Sequence, residues 1–381
     1  MDNDGHWDEF IFGQGISVLL SFSLMKRELA LKTFSVHPLV HYWSRERMSK
    51  SDQQKMCLAG SKILSCAISY KFETQEYKLR RLIFPHIRAN MLHERQMGLI
   101  KQYYDDESVK FALVLGENGD FNNAEQLEVQ VMNMRKKLLG AENPDTLISL
   151  ENLAITYSHQ RRWNEAEQLQ ILVMDMTKKL HGAEHPHTLN SVENLAITYR
   201  HKGRWNEAEQ LQIQVMDMRK KLLEVEHPDT LSSMGNLANT YCDQGRWNEA
   251  EQLQIQVVDM IKKLLGAEHP DTLACVADLA CTYGNQGRWD EAEQLQIQVM
   301  DMRKKVLGAE HPHTLISVEN LAITYRDQGR WNEAEQLQIQ VMDMRKKVLG
   351  AEHPDTLASV ADLACTYSNQ GRWDEAEQLQ I

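Results

Sequence analysis

Several motifs that mark enzymes and membrane proteins are missing from this sequence of 381 residues. No GxxxxGKS/T loop occurs, so nothing here can cradle the phosphates of a nucleotide as a P-loop does. The six cysteines form no CxxC pair and show no spacing typical of disulfides, which favours a reducing compartment. The apolar run at residues 16–25 is too short to span a membrane, and acidic residues precede it, unlike a signal peptide. We therefore expect a cytoplasmic protein that neither binds nor hydrolyses ATP by itself.

Positive charge is also scarce in most of the chain. The sequence has 42 basic and 54 acidic residues, a net charge of −12. Residues 1–110 carry 16 basic and 13 acidic side chains, and the remaining residues carry 26 against 41, a net charge of −15. Binding to nucleic acid needs clustered Lys and Arg, so this balance argues against nucleic acid as a partner.

What the sequence has instead is a repeat with a fixed period. Tryptophan recurs every 42 residues, and the residues around it recur too; the six are Trp163, Trp205, Trp247, Trp289, Trp331 and Trp373. A period of this length indicates a supersecondary unit that buries its apolar face only against neighbouring copies of itself. The repeat therefore predicts a solenoid, a class of fold that offers long binding surfaces and rarely carries catalytic groups in its repeats.

One unit spans residues 145–186 and reads as two helices joined by a short polar turn. Leu147, Leu150 and Leu153 begin an apolar stripe with helical spacing, which Ala154 and Tyr157 continue. A second stripe follows the turn, and its members are Trp163, Ala166, Leu169, Val173, Met176 and Leu180. Acidic residues open this second helix and lysines close it, as the helix dipole favours. The unit is thus predicted to be an αα-hairpin.

The repeat resembles the tetratricopeptide repeat, in the long form found in kinesin light chains. The resemblance rests on the segments GRW-x-E-A-E-x-L and LG-x-x-HP-x-T-L, and it covers residues 103–381. It implies an all-α, right-handed α-solenoid of helix-turn-helix repeats. A degenerate copy with Phe121 in the tryptophan position comes first, and the last copy stops inside its second helix. We expect from this that the chain is a fragment or the product of a truncated gene.

The first hundred residues lack the period. Residues 10–22 are expected to form a helix, two strand-like runs follow in residues 24–36, and HPLVHYWSRERM is expected to form another helix. This order resembles the winged-helix segment of fungal NOD-like (STAND, NB-ARC) receptors, whose nucleotide-sensing His would correspond to His37, although the family's Met and Asp are absent. The resemblance implies a winged-helix-like remnant at residues 1–50; the alternative is a simple cap on the solenoid. Residues 51–102 are expected to form a linker of two helices, 51–70 and 75–100, with Pro85 marking a kink or break.

Comparison of the repeats with one another locates a candidate binding face. The copies differ in the first helix at positions 148, 151, 155, 158 and 159, on the side opposite the apolar stripe, so we expect the varied side to be exposed. In tetratricopeptide arrays the first helices line a concave groove, where Asn commonly bonds the backbone of an extended peptide. The resemblance implies the following groove residues: Asn152, Asn194, Arg200, Asn236, Asp278, Asn320, Arg326 and Asp362. Divergence without function at exposed positions would give the same pattern.

Three further patterns have simpler explanations than a chemical site. The pairs His185/His187 and His311/His313 flank a proline where a loop meets a helix, and no Cys or acidic cage accompanies them, so we predict no metal site. Glu165 is two residues from Glu167 in a first helical turn, so the two point apart; we assign them to the helix dipole and solubility. The methionines of the second helices are expected to pack in the core. No catalytic residue and no cofactor is predicted.

These observations favour a non-enzymatic scaffold that binds a peptide or protein segment in the groove. The resemblance at both ends implies the sensor end of a STAND-type signalling protein. A cargo adaptor like the kinesin light chains is one alternative, although no heptad coiled coil precedes the repeats. A self-assembling array, stacked end to end through the uncapped C-terminal helix, is another.

Overall fold

The structure is a computed structural model, and it describes residues 25–28, 33–36, 47–70, 74–97, 105–351 and 353–380. Contacts between Cα atoms group the described residues into two compact units. One comprises residues within 1–68 and 83–107, and the other comprises residues within 69–82 and 108–381. The two units are described separately below.

The first unit contains the predicted strand pair. β1 (Met25–Glu28) and β2 (Thr33–Val36) are antiparallel, with Met25 opposite Val36, which confirms the two strand-like runs. α1 (Lys50–Cys66) and α2 (Thr74–Gln96) are both shorter at their C-terminal ends than expected, and α2 continues through Pro85 without a break. The helix predicted at 10–22 and the sensor-like His37 lie outside the described residues.

The second unit is a series of helices joined by short turns, as the period predicts. Their bounds are as follows: α3 (Asp105–Glu117), α4 (Phe121–Leu139), α5 (Pro144–His159), α6 (Trp163–His181), α7 (Pro186–His201), α8 (Trp205–Leu223), α9 (Pro228–Asp243), α10 (Trp247–Leu265), α11 (Pro270–Asn285), α12 (Trp289–Leu307), α13 (Pro312–Asp327), α14 (Trp331–Leu349), α15 (Pro354–Asn369) and α16 (Trp373–Gln380). From α5 onward, first helices of 16 residues alternate with second helices of 19, apart from the shorter α16.

The recurring His-Pro segment starts each first helix from α7 onward. In α9 the Nδ1 atom of His227 accepts a hydrogen bond from the backbone N–H of Asp229 at 3.2 Å, and Pro228 occupies the first helical position, where its missing N–H costs nothing. Thr230 donates to the carbonyl oxygen of Glu224 at 2.8 Å and so fixes the loop that precedes the helix. The histidines are therefore helix caps.

Core packing follows the two apolar stripes. In the central repeats, Leu231, Met234 and Leu237 of α9 pack with Val257 and Ile261 of α10, and all five side chains are buried. The predicted stripe of the second helix extends one turn too far, because Leu180 in the last turn of α6 is exposed. The core of the second unit is thus a row of such clusters, one after another along the repeats.

Two turn positions depart from the repeat in a way that predicts a gain in stability. Arg161 and Glu224 have φ angles of 60° and 73°, whereas most equivalent positions hold glycine, which adopts positive φ without strain. We expect Arg161→Gly and Glu224→Gly each to raise the free energy of unfolding by about 1 kcal/mol. Urea unfolding followed by circular dichroism measures this, with Gly245→Ala, expected to be destabilising, as the control of opposite sign. Loss of stability in the two glycine variants would contradict the explanation.

Candidate functional site

The first helices of successive repeats lie side by side. α5 contacts α7, and the same contact recurs from α7 to α9, from α9 to α11 and from α11 to α13. Within the described residues, no comparable contact joins successive second helices. The first helices therefore form the inner face of the repeat array. The varied position 148 lies on this face, and its equivalents are all exposed: Ile148, Asn190, Ser232, Ala274, Ile316 and Ala358.

Position 151 is exposed in one repeat and buried in others, so the expectation that it belongs to the exposed side is correct only in part. Among its equivalents Glu193 and Ala277 are buried, whereas Ala361 is exposed. Glu193 accepts a hydrogen bond at 2.6 Å from Arg219, which also donates to Ser233 of the next repeat at 2.6 Å. In that repeat the position faces the second helix, so variation there changes the packing between helices.

Two of the four predicted asparagines already use their donors inside the array. Asn194 donates to Glu151 at 2.7 Å, and Asn236 donates to Glu193 at 3.0 Å, so each amide joins two successive first helices. Burial raises the pKa of Glu151 above its ordinary value, while the bond from Asn194 works in the opposite direction. The side-chain oxygens of these asparagines remain on the inner face as acceptors.

Asn152 and Asn320 are less committed. No hydrogen bond joins the Asn152 side chain to another described residue, and Asn320 makes only a long contact of 3.7 Å to the Sγ atom of Cys281. Both amides can therefore donate and accept at once, as recognition of a peptide backbone requires.

The predicted charged residues pair across neighbouring repeats. Arg200 lies 3.4 Å from Asp243, and Arg326 lies 4.0 Å from Asp362. Asp278 is exposed and accepts a hydrogen bond from Asn239 at 3.3 Å. The inner face thus carries amides and partly exposed ion pairs. Asp278 is among the most exposed of the predicted groove residues in the central repeats.

Cys275 on this face is unsuited to nucleophilic chemistry. Burial raises the pKa of its thiol to about 12. A thiol attacks as the thiolate, so this group is nearly unreactive at neutral pH. Within the described part of the chain, no group of three or more metal-ligating side chains lies together.

A polar network in the turns was missed by the sequence analysis. The guanidinium of Arg246 stacks on the ring of Tyr241 at 4.0 Å and bonds both Glu209 of the preceding repeat, at 2.8 Å, and Glu249 of its own, at 2.6 Å. Equivalent arrangements recur at Arg162, Arg204, Arg288, Arg330 and Arg372. The expectation for Glu167 is therefore corrected, because this carboxylate bonds Lys202 and Arg204 of the next repeat and so joins repeats. The recurrence of Tyr, Arg and Glu at fixed offsets was the available signal.

Comparison with known proteins agrees with this geometry. A family model described as tetratricopeptide repeat matches residues 108–179, 151–221, 189–260, 229–305, 276–337 and 314–380, which together span most of the chain. The chain belongs to the tetratricopeptide repeat family. No curated protein matches the sequence. The repeat array described above is accordingly a tetratricopeptide α-solenoid.

Three solved structures illustrate the similarity. A kinesin light chain with nearly identical tetratricopeptide-like repeats, from Podosopora anserina, is 36% identical over 53% of this chain and 96% of its own, with a TM-score of 0.45. The apo form of RapI is 12% identical over 72% and 98%, with a TM-score of 0.51, a likeness that shows the fold alone. A signal transduction ATPase with numerous domains and a tetratricopeptide repeat sensor, from Pyrococcus horikoshii, is 13% identical over 95% and 57%, with a TM-score of 0.46.

Among the described residues, no helix is both long enough and apolar enough to cross a bilayer.

Proposed function

We propose that the tetratricopeptide array is a non-catalytic scaffold whose first-helix face binds an extended peptide or protein segment. The observation that carries the proposal is the composition of this face. Exposed short side chains such as Ser232 and Ala274 leave room for a bound chain, and the uncommitted amides of Asn152 and Asn320 can bond its backbone.

The proposal extends to the context of the chain. The strand pair and the HPLVH segment precede the repeats in the order of a winged-helix module and its sensor, so we propose that the array is the sensor end of a STAND-type signalling protein of fungal NB-ARC type, acting in the cytoplasm. Support comes from that order of segments. Cargo adaptor and self-assembling array remain the alternatives that experiment must separate.

A pull-down from cell extract with the full chain tests the binding face. The variant Asn152→Ala/Asn320→Ala removes two uncommitted amides and is expected to weaken capture of specific partners roughly thirtyfold, because two lost hydrogen bonds of about 1 kcal/mol each amount to about 2 kcal/mol. Asn206→Ala/Asn248→Ala removes two exposed amides from second helices and is the matched control, expected to keep every partner.

Each outcome separates the hypotheses. Partners lost only from the first-helix variant support the groove, provided that circular dichroism shows both variants to be equally helical. Identical partner sets from all three proteins would contradict it. If light scattering shows particles that grow with protein concentration and no partner is captured, the self-assembling array is the better account.

A further inference from the structure

A pocket of about 570 Å³ lies within the second unit, at one end of the first-helix face. α3, α4 and α5 form most of its wall, and the His311–Pro312–His313 segment with Val348 and Leu349 of α14 closes the opposite side. Asn152 and Ile155 of α5 belong both to this pocket and to the proposed binding face. Most of the wall is apolar, and a few polar groups are directed into it.

Two of these polar groups stand at positions where all the other repeats share one kind of side chain, which is apolar at the first position and glutamine at the second. Ser108 is fully buried at a position where the other copies have only apolar residues, namely Leu150, Val192, Met234, Val276, Val318 and Val360. Glu128 stands where the other copies have only glutamine, namely Gln170, Gln212, Gln254, Gln296, Gln338 and Gln380. Both departures occur in the first repeat, and both side chains line the pocket.

Three oxygens of this group lack a hydrogen-bond partner among the described residues. The Oγ of Ser108, one carboxylate oxygen of Glu128 and one of Glu117 are buried and have no hydrogen bond to the part of the chain that the structure describes. The second oxygen of Glu117 accepts from the Nε of Arg80 at 2.7 Å, so Glu128 is the carboxylate with the weakest compensation. Burial raises the pKa of Glu128 to about 7, a rise opposed by Thr156 and assisted by the charge of Glu125. A partly buried acid lowers the stability of the protein relative to a glutamine at the same position. Residues that lower stability in this way are typical of binding sites.

We propose that this pocket binds a basic side chain, the ammonium or guanidinium of a peptide lysine or arginine, with Glu128 as its counter-ion. The aliphatic stem of such a side chain would pack on Leu113, Ile155 and Leu349, and its cation would supply donors to the unpaired oxygens of Glu128, Glu117 and Ser108. The net charge of −15 on residues 111–381 favours a basic ligand over an acidic one.

The inference rests on the proposed function, because the pocket would hold one side chain of a peptide lying on the first-helix face. The proposal also predicts how the affinity for a cation changes with pH. Between pH 8 and pH 6 Glu128 gains a proton, so affinity for a cation falls. Burial lowers the pKa of His311 to about 4, so this neighbour stays neutral over that range, and desolvation also lowers the pKa values of His159 and His313. Glu117, Tyr70 and the Arg81 guanidinium also line the pocket.

Calorimetric titration of the full chain tests the proposal with two matched probe pairs. The first pair is n-hexylammonium and n-hexanol, and the second is the acetylated and amidated tripeptide Leu-Lys-Leu and its norleucine analogue. We expect the protein to bind each cationic probe at least about tenfold more tightly than its neutral match, the advantage of a charged hydrogen bond. Glu128→Gln installs the residue of the other repeats and should abolish that preference while leaving the melting temperature equal or higher. Glu142→Gln, an exposed acid, is the control of equal charge.

A third variant closes the pocket without touching its acids. Gly116 lines the pocket, and a Cβ added there meets no atom within 4 Å, so Gly116→Phe projects into open space and should abolish binding of all four probes. Equal affinity for charged and neutral probes, an undiminished preference in Glu128→Gln, or no binding at all would overturn the proposal. Binding of n-hexylammonium without the lysine tripeptide would overturn its assignment to a peptide side chain. The groove hypothesis fails separately, since it depends on partner loss in Asn152→Ala/Asn320→Ala.

Discussion

Replacing Glu193 by alanine is expected to lower the free energy of unfolding by about 3–5 kcal/mol. The substitution leaves the guanidinium of Arg219, which is 3% exposed, without its carboxylate. Arg219 would keep its bonds to the carbonyl of Asp229 at 2.9 Å and to the Ser233 hydroxyl, but these are neutral acceptors and do not balance a buried charge. Urea unfolding followed by circular dichroism measures the loss.

The neighbouring repeat provides the control for this prediction. At the positions equivalent to Glu193 and Arg219 it holds Gly235 and Ile261, and Ile261 packs in the apolar core. The double variant Glu193→Ala/Arg219→Ile removes both charges, so we expect it to recover most of the stability lost by Glu193→Ala. Equal stability of the single variant and the natural protein would show that the pair contributes nothing.

The substitution of arginine by isoleucine is expected to have opposite signs at two equivalent positions. Arg303 is 6% exposed but faces Ala277, so no carboxylate among the described residues hydrogen-bonds it, and it donates to the carbonyl of His313 and to Ser317. Burial lowers its pKa, although the charge of Asp278 opposes the shift. Arg303→Ile should therefore stabilise the protein by about 1–4 kcal/mol, the range seen when buried ionic groups give way to apolar packing.

Arg219→Ile, by contrast, should destabilise the protein by about 3–5 kcal/mol, because it leaves Glu193 buried and unpaired. Hydrogen exchange read by mass spectrometry localises each effect to its own repeat, as repeat arrays open locally. The same sign at both positions would contradict the assignment of the partners.

Local features of this fold could be read from the sequence because each depends on a few neighbouring residues. The tryptophan period predicted the repeat, and the apolar stripes predicted its two helices. The His-Pro segment marked the start of the helix that His227 caps. The strand-like runs before residue 37 are likewise a local pattern, and β1 and β2 confirm them. Leu180 was placed on the apolar stripe but is exposed, because spacing alone does not show where a helix extends beyond the helix against which it packs.

The candidate site could be predicted only in part. The list of residues on the first helices came from resemblance and periodicity, but which amides are committed depends on contacts about 43 residues apart, such as Asn194 to Glu151. The pocket requires α3 to approach the segment near His311, a result of small rotations accumulated over several repeats that no local pattern encodes. The departures at Ser108 and Glu128 were visible in the aligned repeats, yet without that contact they had no evident role.

Photo-crosslinking tests most directly whether the first-helix face is where partners bind. A benzoylphenylalanine placed at Ser232, exposed on α9, is compared with one at Asn248, equally exposed on the second helix α10. The account predicts that irradiation in cell extract attaches a partner protein or peptide at position 232 and not at position 248. Attachment at 248 alone, or equally at both, would contradict it.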